Sequence, residues 1–258
     1  MFWALFALLA LAAAVLAYGW FEAGWLRTRV LELPVEGLPA ALDGLRIAHL
    51  SDFHLGRPSR GAVAVRRAAE WARERQPDLV VVTGDLLSHP RGRPALDEAL
   101  RGLGAYAGLG NHDVAVTRDP FSRPAELEGL PATLLVEESR TLDLRGARVQ
   151  LAGCAPSHRG RIPAPDPDAV LRILLSHYPR LRAQGYQLVL AGHMHAGQIV
   201  LPYPGGKVRF AHLGSRLAQG TYREGGVTLH VSPGLGTTFV PFRYFARPEA
   251  TELVLRSG

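Results

Sequence analysis

The chain has 258 residues, 47% of them hydrophobic and 20% charged, with a formal net charge of +6. This apolar content excludes an intrinsically disordered chain, and the length fits one large α/β domain with a short appendage. Lys207 is the only lysine and the arginines are scattered, so no basic stripe marks a nucleic-acid surface, while the single cysteine, Cys154, excludes an intrachain disulfide and a cysteine-built metal site.

From Phe2 to Phe21 no side chain is charged. A run of that length at about 1.5 Å per residue reaches roughly 30 Å, the thickness of a bilayer's hydrocarbon core, which predicts a spanning helix. Trp3 at one end and Trp20 and Trp25 at the other stand where amphipathic rings favour the membrane interface. A cleaved secretory signal is the competing reading. The run has no Lys or Arg before it, is longer than a usual signal core and contains Ala12-Ala13-Ala14 within it, all of which favour an anchor. Arg27 and Arg29 follow the helix, so the positive-inside tendency predicts a single-pass cell-membrane protein with the rest of the chain on the cytoplasmic side. Residues 1–26 are thus expected as the anchor and 45–258 as the globular domain. Between them, Pro34, Gly37, Pro39 and Gly44 predict a linker of irregular turns over 27–44.

Leu45 to Leu50 is a short apolar run that stops at Ser51-Asp52, the pattern of a buried strand ending in a functional loop. Val63 to Arg75 carries apolar residues at helical spacing, and Pro77 stops it. Leu79 to Val82 reads as a second strand ending at Thr83-Gly84-Asp85, and Ala95 to Leu103 as a second helix. Ala105 to Leu109 is a third strand entering Gly110-Asn111-His112-Asp113. Leu171 to Leu175 leads into Ser176-His177, and Gln187 to Leu190 into Ala191-Gly192-His193-Met194-His195. Strand, helix, strand is the rhythm of an α/β sheet, and such sheets bind ligands beyond the carboxyl ends of their strands, where these polar residues should converge. Thr141–Leu144 and Val149–Ala152 flank Arg145-Gly146 as a hairpin, Ala155 to Pro167 is a Pro-rich loop, and Gly226–Val231 and Thr251–Leu255 read as antiparallel strands. The expected outcome is two packed sheets flanked by helices.

Asp52-Phe53-His54 places two potential ligands two residues apart, so in an extended segment both face the same way, and His193-Met194-His195 repeats the spacing. Singly, each fragment has an ordinary structural reading: a buried Asp–His hydrogen bond, a Gly-Asp turn at Asp85, an Asx turn at Asn111, a lone histidine at 177. Together they follow successive strands. The set is imidazole, carboxylate and amide oxygen without thiolate, which suits Mn²⁺, Fe or Zn²⁺. Seven or eight candidate ligands exceed the four of a structural zinc site, and the surplus implies two ions.

The order Asp52-x-His54, Gly84-Asp85, Gly110-Asn111-His112-Asp113, His177, Gly192-His193-x-His195 resembles the calcineurin-like metallophosphoesterase superfamily from Leu45 to the C-terminus. The resemblance implies an α/β fold, a four-layer sandwich of two mixed β-sheets flanked by helices. It implies that Asp52, His54 and His195 hold one metal, that Asn111, His177 and His193 hold another, and that Asp85 bridges them. His112 would stay off the metals, contact the phosphate and protonate the leaving oxygen, with Asp113 holding its imidazole. Two divalent ions, Mn²⁺ foremost with Fe, Zn²⁺ or Co²⁺ as alternatives, would bind phosphoryl oxygens and turn a bridging water into hydroxide for in-line attack.

His193 to Ile199, Val231 to Thr238 and Pro241-Phe242-Arg243 further resemble the membrane-anchored branch that includes UDP-2,3-diacylglucosamine hydrolases and related phosphodiesterases. This branch often carries Arg where Pro233 stands, a departure that weakens any transfer of substrate. Arg243 is a candidate to bind a second phosphate bidentately. The expected reaction is hydrolysis of a phosphodiester or pyrophosphate in a small-molecule or lipid-linked substrate at the membrane. A nuclease, a cyclic-nucleotide phosphodiesterase, or a scaffold that keeps the fold without catalysis are the alternatives, the last disfavoured because every ligand position is filled.

Overall fold

A computed structural model describes residues 2–114, 119–157 and 160–258. The apolar N-terminal run is one helix, α1 (Phe2–Glu22), in which only Gly19 and Glu22 are buried. Among the described residues it is the one helix long and apolar enough to cross a membrane.

The chain then enters a strand, β1 (Arg27–Val35), so the linker expected over 27–44 is corrected in its first half. Leu33 and Val35 alternate into the core, which makes strand pairing favourable, and Pro34 is tolerated because β1 is a sheet edge that needs bonds on one side only. Irregular backbone is confined to residues 36–45, including a 3₁₀ turn at Ala40–Leu42.

The first sheet continues with β2 (Arg46–Leu50), β3 (Leu79–Thr83), β4 (Tyr106–Gly108) and β5 (Thr133–Leu134), all parallel. Helices α2 (Gly61–Arg75) and α3 (Arg93–Leu100) make the β2–β3 and β3–β4 crossovers. The second sheet contains β6 (Glu138–Leu144), β7 (Ala147–Gly153), β8 (Leu171–Ser176) and β9 (Leu188–Ala191). A small hairpin, β10 (Val200–Tyr203) and β11 (Gly206–Arg209), stands apart. The chain then forms β12 (Gly220–Glu224), β13 (Val227–Val231) and β14 (Glu249–Ser257).

The sheet orders are β1-β14-β2-β3-β4-β5 and β12-β13-β9-β8-β7-β6. Both sheets are mixed. The two late strands read as antiparallel each have one antiparallel and one parallel neighbour: β13 lies between β12 and β9, and β14 between β2 and β1. The hairpin at Arg145-Gly146 forms as expected, with both residues at positive φ (56° and 76°), the geometry that matches strand twist.

Alternation along the strands builds the layers. Ile47, Leu79 and Val81 face β8 and β9 through Ile173, Leu175, Leu188 and Leu190, forming the inter-sheet core. Ala48, Leu50, Val80 and Val82 point the other way, onto Val65, Ala68, Ala69 and Ala72 of α2. Each fully buried Leu, Ile or Val in these layers contributes about 1.5–3 kcal/mol. Outside the second sheet, Leu174, Val189 and Leu229 are covered by Ala183, Tyr186 and Met194 from irregular segments. The carboxyl ends of β2, β3, β4, β8 and β9 carry the polar residues singled out above.

Candidate metal centre

Ligand atoms gather there in two overlapping groups. Asp52, His54, Asp85 and His195 form one, and Asp85, His177 and His193 the other, with the ligand atoms of each group within 4.8 Å of one another. Asp85 belongs to both: its Oδ2 lies 3.2 Å from His54 Nε2 and 3.3 Å from His177 Nε2. Asn111 Oδ1 is 3.1 Å from His177 Nε2, which adds an amide oxygen to the second group. His195 Nε2 stands 3.4 Å from Asp52 Oδ1.

Two pairs of ring nitrogens converge. His54 Nε2 and His195 Nε2 are 3.1 Å apart, as are His177 Nε2 and His193 Nδ1. Two neutral lone pairs do not face each other at that distance without a proton or a cation between them. The donor set is nitrogen and oxygen around one shared carboxylate, and it fits a pair of borderline or hard divalent ions.

The two i, i+2 pairs do not reach this point through extended backbone, which corrects the sequence argument. Asp52, His54, Asp85, His193 and His195 all have φ between 46° and 70°. Such left-handed conformations cost non-glycine residues on the order of 1–3 kcal/mol each, and cluster where a site over-determines them. Asp52 N donates to Gly84 O at 3.0 Å and His54 N to Asp85 O at 2.9 Å, so each strand's corner is held by its neighbour's corner. At Gly110 an added Cβ would lie 2.0 Å from Asp85 Oδ1, so only glycine lets this turn close on the carboxylate that the two groups share.

Outer partners fix the rings. His177 Nδ1 faces the Thr83 carbonyl at 2.8 Å, so Nδ1 carries the proton and Nε2 is left to bind. His54 Nδ1 is 2.8 Å from Ser88 Oγ. Ser51 Oγ donates to Asp52 Oδ2 at 2.6 Å and accepts from Thr83 Oγ1 at 2.7 Å, and Thr83 Oγ1 meets His49 Nε2 at 2.9 Å. His49 in turn contacts His230, Nδ1 to Nδ1, at 2.8 Å between the two sheets. Burial holds both of these histidines neutral, His230 with a pKa pushed down to about 3.

The charges of the site lean on one another. Burial opposes ionisation of Asp85, yet His177 and His54 hold its carboxyl well below the usual range. Burial likewise opposes charge on His177, and Asp85 outweighs it, raising the imidazole to about 9. Burial and the nearby His54 lower His195. A proton on His177 thus occupies the place that a divalent ion would take, and metal binding has to release it.

His112 lies on a single helical turn (Asn111–Val114), outside both donor groups. Its backbone N donates to Asp85 Oδ1 at 2.8 Å, and its ring stands edge-on to His54 at 4.7 Å. Burial, reinforced by His54, lowers its pKa to about 4. Asp113 does not hold this imidazole, contrary to the expectation. Its Oδ1 accepts from Leu86 N and Leu87 N (2.9 and 3.2 Å) and its Oδ2 from Gly110 N (2.8 Å), so it ties the β3 and β4 loops together. The ring nitrogen of His112 instead meets Ser122 Oγ at 3.2 Å.

Arg243 is not available to a second phosphate either. It is fully buried, and its guanidinium donates to Gly236 O (2.7 and 2.9 Å), Ala246 O (2.8 Å) and Pro233 O (3.0 Å). It also approaches His195 Nδ1 at 3.3 Å, so it clamps the loop behind the metal centre. Three further residues near the site lie outside the motifs of the sequence. The Tyr178 ring lies 4.3 Å from that of His193, tilted by 52°, and the His212 ring lies 4.9 Å from it, while Ser122 supports His112. Tyr178 directly follows the candidate ligand His177 in the chain; the other two come close only through the fold.

The sequence pattern of the calcineurin-like phosphoesterase family matches residues 45–197. A transmembrane protein with a metallophosphoesterase domain from Danio rerio is 31% identical over 88% of this chain, which spans 57% of that protein's length. The uncharacterised metallophosphoesterase YkuE of Bacillus subtilis (strain 168) is 30% identical, with 85% of this chain and 82% of YkuE aligned. The phosphodiesterase YaeI of Escherichia coli (strain K12) is 27% identical over 92% of this chain and 89% of its own. With more than half its length matched and the donor residues gathered at the ends of its strands, the chain belongs to the calcineurin-like phosphoesterase family.

Proposed function

We propose that this metallophosphoesterase hydrolyses a phosphodiester or pyrophosphate bond in a lipid- or nucleotide-linked substrate at the membrane surface, with two divalent ions. The observation that carries the reading is Asp85, one carboxylate shared by two groups of ligand atoms. Asp52, His54 and His195 are assigned to one ion, Asn111, His177 and His193 to the other, and Asp85 to both. When bound, such a pair supplies charge neutralisation at the phosphoryl oxygens and acidifies water. Mn²⁺ is the first choice, with Fe, Zn²⁺ or Co²⁺ as substitutes.

The chain's own groups do the rest. Thr83 O holds His177 in the tautomer that binds through Nε2, and Ser51 holds one oxygen of Asp52. Asn111 contributes a neutral ligand, which limits repulsion of an anionic substrate. His112 is assigned to the leaving oxygen: burial keeps its imidazole neutral in the resting site, and an approaching phosphate raises its proton affinity. The helix α1 keeps the site at the membrane, with the catalytic domain on the cytoplasmic side where Arg27 and Arg29 favour it.

Full-length protein in detergent should hydrolyse bis(p-nitrophenyl) phosphate with added Mn²⁺. His112→Ala should lose about 10²–10⁴-fold in kcat while its metal content is unchanged. Absence of turnover with Mn²⁺, Fe, Co²⁺ and Zn²⁺ alike would sink the reading.

A further inference from the structure

The last two turns of α1 are fastened to the globular part. Arg243 N donates to Gly19 O at 3.1 Å, Ala246 N to Glu22 Oε1 at 2.7 Å, and Tyr244 Oη to Val15 O at 2.9 Å. The fit is close: a Cβ at Gly19 would lie 2.3 Å from the Tyr244 ring. Phe245 packs 6.1 Å from Tyr18, centroid to centroid. Residues 244–245 therefore run alongside Val15–Tyr18, roughly 6–10 Å before the helix ends. If α1 spans a bilayer, this segment sits in the last roughly 5–10 Å of the span, the depth to which an interfacial element buries its apolar face.

An apolar surface extends from that point. Ile199 bridges Tyr244, and Phe210 N donates to Ile199 O at 2.9 Å, so the β10–β11 hairpin is continuous with the segment beside the helix. Phe210 is 60% exposed, Leu213 76%, Leu201 55% and Phe245 59%. Phe239 and Val240 in the neighbouring loop are exposed as well, so large apolar side chains face outward along both the hairpin and the loop. Cations border it. Lys207 lies near Arg209 and Arg27, and Arg247 stacks 3.8 Å over Trp25; Arg27 is paired with Glu249. Apolar side chains among Lys and Arg, beside tryptophan, are the composition of an interfacial membrane contact. The surface also reaches the metal centre. A cavity of about 170 Å³, lined by Ile199, Phe210, Phe239 and Val240, has His195 and His212 in its wall.

We infer that the β10–β11 hairpin and the 239–245 loop form a second membrane contact, which lies in the phospholipid interface of the leaflet where α1 ends. The metal centre then opens toward lipid headgroups instead of bulk water. This rests on α1 being a membrane-spanning anchor, part of the proposed function, but not on the phosphoesterase chemistry. The bilayer is chosen over a second copy of the chain because the surface is continuous with α1 at a fixed depth.

The test uses the full chain in phosphatidylcholine/phosphatidylglycerol nanodiscs, without metal or substrate. Cys154 is buried, so an introduced surface cysteine can be labelled selectively with bimane. Phe210→Cys and Leu213→Cys report on the contact, Leu9→Cys on the anchor, and Val170→Cys, at the amino end of β8, on the opposite face. Nitroxide-labelled phosphatidylcholine should quench roughly half or more of the emission at 210, 213 and 9, as expected for labels within the interface or the core, and leave 170 unchanged. Quenching at 9 with 210 and 213 behaving like 170 overturns the second contact and spares the anchor. No quenching at 9 overturns both. Shielding of 210 from aqueous iodide without nitroxide quenching would put a protein partner on the surface and also overturn the proposal.

Discussion

Replacing Arg243 with methionine tests whether a buried cation holds the back of the metal centre together. Methionine keeps much of the volume but removes four donor contacts of 3.0 Å or less, to the carbonyls of Pro233, Gly236 and Ala246. Each buried carbonyl left unpaired costs about 1–3 kcal/mol, so three of them give roughly 3–9 kcal/mol. The arginine's own desolvation cost, visible in its pKa lowered by burial to about 10, is recovered on substitution. A net loss of about 4 kcal/mol is a reasonable middle, and at about 2–4 °C per kcal/mol it lowers the melting temperature by roughly 8–16 °C. Arg243→Lys retains the charge but not the fork that reaches Gly236 O twice, so it should fall between the two. The assay is thermal unfolding in detergent at one scan rate, with Mn²⁺ content measured on the folded protein, because His195 shares this clamp. A methionine variant that melts within about 2 °C of the unmodified protein would refute the reasoning.

The Glu252 carboxylate accepts four bonds, from Arg46 (2.8 and 3.1 Å) and Arg75 (2.7 and 3.0 Å). The Arg75 bonds lead in lowering its pKa from 4.5 to about 2, against burial. Because the folded value is depressed, this stability is complete above 4.5 and is lost as pH falls toward 2. Glu252→Gln should cost about 2 kcal/mol at neutral pH and flatten the acid side of the stability profile; identical slopes for the two proteins between pH 5 and 3, the span chosen for melts, would count against it. Ser51→Ala removes the 2.6 Å donor to Asp52 and should weaken Mn²⁺ binding about 10–100-fold, read by titration calorimetry. Gly110→Ala forces a Cβ onto Asp85 Oδ1 and should leave a folded protein that has lost most of its bound metal; full metal content by elemental analysis would show that the turn can relax.

Much of the site was legible because its signals are local. Asp52, Asp85, Asn111, His177 and His193 each follow an apolar run, and such runs are recognised by burial along a few consecutive residues. The hairpin at Arg145-Gly146 and helix α2 were readable for the same reason. β1 was not. Its Pro and Gly neighbours read as punctuation, and only pairing with β14, more than two hundred residues away, turns the segment into an edge strand.

Side-chain partners in the site were the least legible part. Asp113 stands next to His112 in the chain, but the helical turn points its carboxylate back at the β3 loop, and Ser122 meets the ring instead. Arg243 has the chemistry of a phosphate ligand, yet the backbone carbonyls around it use its donors first. The sequence alone determined which donor atoms are present, their order along the chain and the apolar span before them, since composition and short-range periodicity are written in consecutive residues. The tertiary structure alone decided that five of those donors sit on left-handed corners, that one carboxylate serves both groups, and which neighbours orient each ring, since these depend on contacts between strands that the sequence keeps far apart.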